Sequence, residues 1–148
     1  MAEWSLVPYL MVADAAGAID FYRKAFGASE IARMTSPDGK RVVHAEIDIH
    51  GTRVYLSDDF CGSQPVGAGR ISLHLDVPDA DAAQAQAAEA GAKVAMPVTE
   101  MFWGARYGRL DDPFGIVWSV STQVRQPSEA EMKAAIADWF ENIGTEKA

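Results

Sequence analysis

Three residues that can carry protons or bind metals are expected to lie on the same side of the predicted strands. His44 and Glu46 stand two apart in one segment with strand character, and His74 stands in another. Alternate residues of a strand point to the same side of its sheet, so the three side chains are expected to face one cavity. Three interpretations stay open. The set could hold a displaced metal ion, His74 or Glu46 could act as a metal-free acid or base tuned by burial, or neighbours and water could simply satisfy the three groups.

An internal repeat supplies the elements that would position these residues. The segment around Asp14 resembles the segment around Asp79, at an offset of 65 residues, and His50-Gly51 aligns with Phe114-Gly115, at an offset of 64. Two similar segments at nearly constant spacing predict two copies of one supersecondary unit. The expected fold class is α+β, with two βαβββ modules forming a curved mixed sheet around a cavity, followed by a C-terminal helix.

Turn and capping residues set the predicted boundaries within one domain of residues 1–148. The first module spans 5–59 and the second 69–122, with a glycine-rich linker between them at 60–69. A capping box at its start predicts a further helix over 127–144. That helix carries Trp139 and Phe140, which need to be buried against the sheet or against another subunit.

Composition excludes several classes of partner. The net charge is −8 and the pI is about 4.7, with no cluster of basic residues to bind nucleic acid or anionic lipid. No run of 18 apolar residues could span a membrane, and the N-terminus does not resemble a signal peptide. A single cysteine, Cys61, cannot form an internal disulfide. These observations predict a cytoplasmic protein.

Along each predicted strand, one set of alternate residues is apolar and the other set mixes polar with aromatic residues. We call these sets the apolar parity and the mixed parity. The apolar parity, which includes Leu6 and Val43, is expected to face the helices. The other parity combines polar groups with Tyr9, Tyr55 and His74, and it contains no lysine. A plain solvated surface is one explanation, but aromatic and polar groups together are more typical of a surface that holds a ligand. With few cations, such a cavity suggests a neutral or cationic organic molecule.

Several motifs give the chain a family resemblance. The run Ala-Ile-Asp-Phe-Tyr-Arg-Lys-Ala-Phe-Gly at 18–27, the Phe-Trp-Gly piece at 102–104 and the Asp-Pro-Phe-Gly piece at 112–115 are the most specific. With the paired modules, they resemble the vicinal oxygen chelate superfamily, which includes glyoxalase I, bleomycin-resistance proteins and extradiol dioxygenases. The match covers about 5–122, and it is most similar to a glyoxalase-like bacterial subgroup.

The resemblance also implies where a metal would bind in the enzymes of this superfamily. Four ligands come from the first and last strands of the two modules, and these positions fall at Val7, Tyr55, Ser72 and Ser119. None of the four is a competent ligand for zinc, nickel or iron. We therefore expect no metal and no cofactor. This metal-free pattern resembles the drug-binding members of the superfamily, which hold a small molecule at a dimer interface.

The expected function is metal-independent binding of a small organic molecule by a glyoxalase/bleomycin-resistance-like homodimer, and no catalytic residue is assigned beyond the candidates His74 and Glu46. The alternative is an enzyme of the lyase, isomerase or dioxygenase type that uses His44, Glu46 and His74, and a scaffold without a cavity is a third option. In the loop before a strand, Phe102 and Trp103 could form an aromatic wall, and Arg106 could bind an anionic group. The predicted ligand-binding residues are Tyr9, His44, Glu46, Tyr55, Ser57, Ser72, His74, Phe102, Trp103, Arg106 and Ser119.

Overall fold

The computed structural model describes residues 6–60 and 71–146. These residues form eight strands and three helices. The strands are β1 (Tyr9–Val12), β2 (Ser29–Thr35), β3 (Val42–Ile49), β4 (Thr52–Asp58), β5 (Ser72–Asp76), β6 (Lys93–Glu100), β7 (Ala105–Asp111) and β8 (Val117–Gln123). The helices are α1 (Ala15–Phe26), α2 (Ala80–Ala90) and α3 (Glu129–Glu146).

The order of elements is βαβββ twice, followed by α3, and it confirms the predicted α+β class with two modules and a C-terminal helix. The strands form two four-stranded mixed sheets, ordered β1-β4-β3-β2 and β5-β8-β7-β6. In each sheet the first strand of the module lies parallel to the last, and the other neighbours are antiparallel. The repeat in the sequence is therefore a repeat of topology.

Both modules start their helix with the same device. The Asp14 carboxylate accepts a hydrogen bond from the backbone N–H of Gly17, and the Asp79 carboxylate accepts one from Ala82. Each aspartate satisfies one of the N–H groups that a helix leaves without a partner in its first turn. The cap thus explains why α1 and α2 begin where the sequence repeats.

The core joins the two modules. Tyr22 and Phe26 of α1 pack on Trp118 of β8, with ring centroids 5.4 and 4.5 Å apart. The buried Asp112 carboxylate accepts hydrogen bonds from the Tyr22 hydroxyl at 2.7 Å and from the Trp118 indole N–H at 2.8 Å. Burial and the neighbouring Asp112 carboxylate raise the pKa of the Tyr22 phenol well above its usual range. These contacts fix the second sheet against the first helix.

The structure departs from the predicted apolar parity at three positions, Ile71, Leu6 and Val43. Ile71 has the same parity as Leu73 but is exposed, because it precedes β5, which starts only at Ser72. Leu6 precedes β1 and is exposed, because the first strand starts only at Tyr9. Val43 is also exposed, because the β2–β3 register shifts between Met34 and Thr35, so that Val42 takes the core position. The predicted linker at 60–69, apart from Phe60, lies outside the described residues, and so does Cys61.

The helix α3 leaves its large apolar residues exposed in one chain. Trp139 is 46% exposed and Phe140 is 64% exposed, with their rings 5.1 Å apart. Of the two predicted ways to bury these residues, packing against the sheet of the same chain does not agree with their exposure. Across the described ranges, no helix is both long enough and apolar enough to cross a membrane.

Candidate functional site

Each sheet has one side that its own module's helix does not cover. We call the side of the first sheet that carries Tyr9, His44 and Tyr55 face A, and the side of the second sheet that carries His74 and Ser119 face B. On the opposite sides, residues such as Leu56 and Val120 are fully buried. The faces hold most of the residues that the sequence predicts to bind a ligand.

Face A carries an aromatic cluster joined by hydrogen bonds. The Tyr9 hydroxyl lies 3.0 Å from Nδ1 of His44, and the rings of both residues contact Tyr55, with centroids 5.7 and 4.9 Å from it. Nε2 of His44 lies 3.6 Å from Glu46, whose other carboxylate oxygen is 3.8 Å from Arg53. The Tyr9 side remains open to solvent, at 45% exposed. This face can therefore offer rings for stacking and polar groups for hydrogen bonds.

Face B carries a chain of three polar groups. Nδ1 of His74 lies 2.7 Å from the Ser119 hydroxyl, and Nε2 lies 3.0 Å from a carboxylate oxygen of Asp76. An aromatic line extends from this imidazole, because His74 stacks on Tyr107 at 6.2 Å and Tyr107 meets the edge of Trp103 at 5.7 Å. Since Asp76 can only accept when ionised, it favours a proton on Nε2 of His74.

Strand register makes the two faces equivalent. Tyr9 is paired with Tyr55 across β1 and β4, and His74 is paired with Ser119 across β5 and β8. The same repeat offsets relate Tyr9 to His74 and Tyr55 to Ser119. The pairs therefore occupy matching places on faces A and B, one filled by two phenols and the other by an imidazole and a hydroxyl.

The structure also places the other predicted ligand residues. Ser57 is buried in β4, and Ser72 is exposed at the start of β5. Phe102 and Trp103 lie in the turn between β6 and β7, with ring centroids 5.0 Å apart, and Trp103 reaches face B through its Tyr107 contact.

Arg106 has a different partner from the expected ligand. Its guanidinium donates two hydrogen bonds, of 2.7 and 2.9 Å, to the carboxylate of Asp81 in α2. This pair holds the pKa of the Asp81 carboxyl below its usual range. Arg106 has the same strand parity as the buried Leu110, so it points to the helix side and away from face B.

Sequence reasoning missed three residues of face B. Tyr107 and Arg109 lie on β7, in or just after a segment without clear periodicity, and Asp76 lies at the end of β5. Parity counted back from the buried Leu110 would place Tyr107 and Arg109 on the opposite side of the strand. That signal was present in the sequence.

The chemistry of the side chains does not fit the metal site of the superfamily. Of the four positions where the resemblance implies ligands, Val7 has no donor atom, and the Ser119 hydroxyl is 2.7 Å from His74 in a residue only 2% exposed. The described residues contain no group of three or more His, Cys, Asp and Glu side chains that could hold a metal ion. His44 and Glu46 lie together on the first sheet, but His74 lies on the second sheet and forms no such group with them.

Two cavities lie at the seam between the modules. One, of about 400 Å³, is bounded by the end of α1, His50 and the segment from Leu75 to Asp79. A smaller one, of about 110 Å³, lies between β4 and β5 and includes His74. His74 and Asp76 therefore border both face B and the seam.

Comparison with known proteins identifies the class. Residues 5–120 match the Glyoxalase/Bleomycin resistance protein/Dioxygenase superfamily. The match covers more than half of the chain, and the βαβββ repeat agrees with it. The chain belongs to this superfamily, and the predicted resemblance is confirmed.

Individual relatives are found in bacteria and plants. The chain is 43% identical over 143 residues to the Mycobacterium tuberculosis protein Rv0887c. The alignment covers 91% of this chain and 84% of the relative. The crystal structure of the Arabidopsis thaliana product of At5g48480 superposes with a TM-score of 0.64 at 28% identity, over 81% of this chain and 99% of that one. The fosfomycin resistance protein FosX from Listeria monocytogenes shares the fold, with a TM-score of 0.66 at 13% identity, over 88% and 98% of the two chains.

Proposed function

We propose that the chain binds a small organic molecule on faces A and B without a metal ion, and that it does so as a homodimer. The observation that carries this proposal is the aromatic and polar cluster of Tyr9, His44 and Tyr55, in which Tyr9 is exposed and the other two residues are partly buried. A surface of aromatic rings with a few converging polar groups is typical of a ligand site.

Exposed apolar side chains support the dimer. On face A, Met11 is 54% exposed and Met34 is 60% exposed, beside the half-exposed Tyr9. On α3, Trp139 and Phe140 are similarly open. Apolar groups gathered in this way mark surfaces for ligands or for other protein chains. A second copy would cover part of this surface and enclose the ligand. The single cysteine agrees with a cytoplasmic location, which we keep as part of the proposal.

The dimer is tested by the mass of the purified protein in solution. One chain has a mass of 16.0 kDa, and light scattering at micromolar concentration is expected to give twice this value. A mass of one chain under these conditions would contradict the dimer, and it would leave faces A and B to bind a ligand alone.

The ligand site is tested by a thermal-shift screen of metabolites and antibiotics, because a ligand of the folded state raises its stability by mass action. A compound that stabilises the protein by binding to face A is expected to lose its effect with Tyr55→Ala and to keep it with Val94→Ala. Val94 is a matched control, since it is a partly exposed apolar residue paired with the buried Leu110 on the other sheet. Equal shifts in both variants would contradict a site on face A.

A second candidate function is metal-free acid–base catalysis. The observation that favours it is the link from Ser119 to His74 to Asp76, in which the carboxylate orients an imidazole that contacts a hydroxyl. Mass spectrometry of a bound compound after incubation with the protein separates the two functions. An unchanged compound supports binding alone, whereas a product that disappears with His74→Gln supports catalysis.

A further inference from the structure

One cross-strand row on face B brings three hydrogen-bonding side chains together. His74 is paired with Ser119 between β5 and β8, and Ser119 is paired with Arg109 between β8 and β7. Directly paired residues on one face of a sheet have their Cβ atoms about 5 Å apart, so the three side chains are immediate neighbours. The row places an imidazole, a hydroxyl and a guanidinium in order across the face.

Arg109 has no carboxylate partner among residues 6–60 and 71–146. Other arginines of the chain do have one: Arg106 binds Asp81, and Arg33 binds Glu30, with contacts of 2.7 Å in both pairs. Arg109 is partly buried as a residue, and within the described ranges the five N–H donors of its guanidinium have no hydrogen-bond partner, so they can bind water or a ligand. A planar fork of donors of this kind matches the geometry of a carboxylate or phosphoryl group.

The neighbouring hydroxyl can turn toward the same point. When the His74 imidazole is neutral, Asp76 favours the proton on Nε2, and Nδ1 then accepts from the Ser119 hydroxyl. When His74 is protonated, both nitrogens donate, and the Ser119 proton is free to point toward Arg109. An anion beside Arg109 favours the second arrangement, because the Ser119 hydroxyl can then donate to it and the positive charge of His74 lies one residue further along the row.

We propose that Arg109 binds one oxyanion of the ligand, a carboxylate or a phosphoryl group, with Ser119 and His74 beside it in the row, and that Tyr107 and Trp103 contact its aromatic or apolar part. This inference rests on the proposed binding function, and it replaces the sequence-based expectation of a neutral or cationic ligand. The carboxylate of Asp76 bonds to the far side of the His74 ring, and so it supports the row without occupying it.

Asp111 limits the charge that the site accepts. It lies two residues beyond Arg109 on the same side of β7 and is exposed. Its negative charge opposes a second anionic group at that end of the row. The site therefore favours a ligand with one oxyanion next to a ring.

Titration calorimetry with simple aromatic probes tests the proposal. Benzoate and phenylphosphonate carry the two forms of oxyanion, and benzamide and benzylamine are the uncharged and cationic controls. At least one of the two anions is expected to bind at millimolar concentration and to perturb the amide resonances of β7 and β8. Benzamide that binds as tightly as both anions would overturn the proposal.

Variants of two arginines on one strand show which side of the sheet binds. Arg109→Gln is expected to lower the affinity for the anion about tenfold, because a charge-assisted contact is lost, and Arg109→Lys is expected to lower this affinity less. Arg106→Gln removes a charge from the same strand on the helix side and is expected to change binding by less than about twofold. Circular dichroism confirms that each variant is folded, and equal binding by wild type, Arg109→Gln and Arg109→Lys would overturn the role of Arg109.

The coupling to His74 has its own readout. His74→Ala is expected to weaken binding of the anion, and His74→Asn is expected to restore part of it, because the side-chain oxygen of asparagine can take the place of Nδ1 beside the Ser119 hydroxyl. Equal binding of the anion by the wild type and both variants would refute the role of His74. If an uncharged compound binds face B and Arg109→Gln leaves it unaffected, the oxyanion site is wrong and the proposed binding function stands. If no compound perturbs either face, both are wrong.

Discussion

Replacement of Asp112 by asparagine tests how the two modules are held together. The buried Asp112 carboxylate accepts four hydrogen bonds, from the Tyr22 hydroxyl, the Trp118 indole and the backbone N–H groups of Phe114 and Ile116, at 2.7, 2.8, 2.8 and 3.0 Å. An asparagine has the same shape, but one of its two acceptor oxygens becomes an NH₂ donor. Whichever way the amide turns, it faces two groups that previously donated to an oxygen.

The expected loss follows from the number of donors that lose their acceptor. A buried donor left without a partner costs about 1–3 kcal/mol, so the two groups that face the NH₂ of the amide cost up to about 6 kcal/mol, and less where the Tyr22 hydroxyl turns to accept from that NH₂. That is a large part of the roughly 5–15 kcal/mol by which a domain of this kind is stable. Urea unfolding followed by tryptophan fluorescence measures the loss, because Trp118 itself is in the network.

The adjacent Asp111 supplies a matched control. It is exposed and lies outside the network, so Asp111→Asn is expected to change the free energy of unfolding by less than about 0.5 kcal/mol. A loss below about 1 kcal/mol for Asp112→Asn, or equal losses for the two variants, would refute the argument that this carboxylate joins the modules.

Three further predictions concern the fold and the assembly. The pKa of the Tyr22 phenol is raised in the folded state, so the contribution of this group to stability is complete below the unfolded pKa of about 10. That contribution is lost as the pH rises above the unfolded pKa. The urea midpoints at increasingly alkaline pH should fall more steeply for the wild type than for Tyr22→Phe, and parallel slopes would contradict this. Gly104 and Gly115 have φ of +88° and +89°, but a Cβ at Gly104 would collide with the backbone and one at Gly115 would meet open space. In urea unfolding, Gly115→Ala should therefore lower the free energy of unfolding by about 1–2 kcal/mol, and Gly104→Ala should lower it by at least about 1 kcal/mol more. Similar losses in the two variants would show that the packing argument is wrong. Replacement of both Trp139 and Phe140 by serine should lower the mass in light scattering toward that of one chain, and an unchanged dimer mass would exclude α3 from the interface.

Much of the fold could be predicted because its signals are local. The internal repeat aligns Asp14 with Asp79, and both helices begin directly after these aspartates, whose side chains cap them. The shift that exposes Val43 could not be predicted in the same way. It depends on which β2 residue lies opposite which β3 residue, and strict alternation along one strand carries no information about that pairing.

The candidate site was only partly predictable for a related reason. His74 and Ser119 were found by parity and resemblance, and the structure brings them within hydrogen-bond distance. Arg106 was expected at the ligand because it stands near Phe102 and Trp103 in the sequence, but its parity turns it toward Asp81. The strand β7 begins at Ala105, inside a segment that the sequence suggested to be a loop, so the face of Arg106 was not assigned from strand alternation.

The central claim is that faces A and B bind a small organic molecule and need no metal ion to do so. It is tested most directly by the melting temperature of the protein with a stabilising compound, before and after exhaustive treatment with a chelator. We predict that the stabilisation survives the chelator and is lost when Tyr55 and His74 are both replaced by alanine. Stabilisation that disappears with the chelator and returns with an added divalent metal, or that persists in the double variant, would contradict the claim.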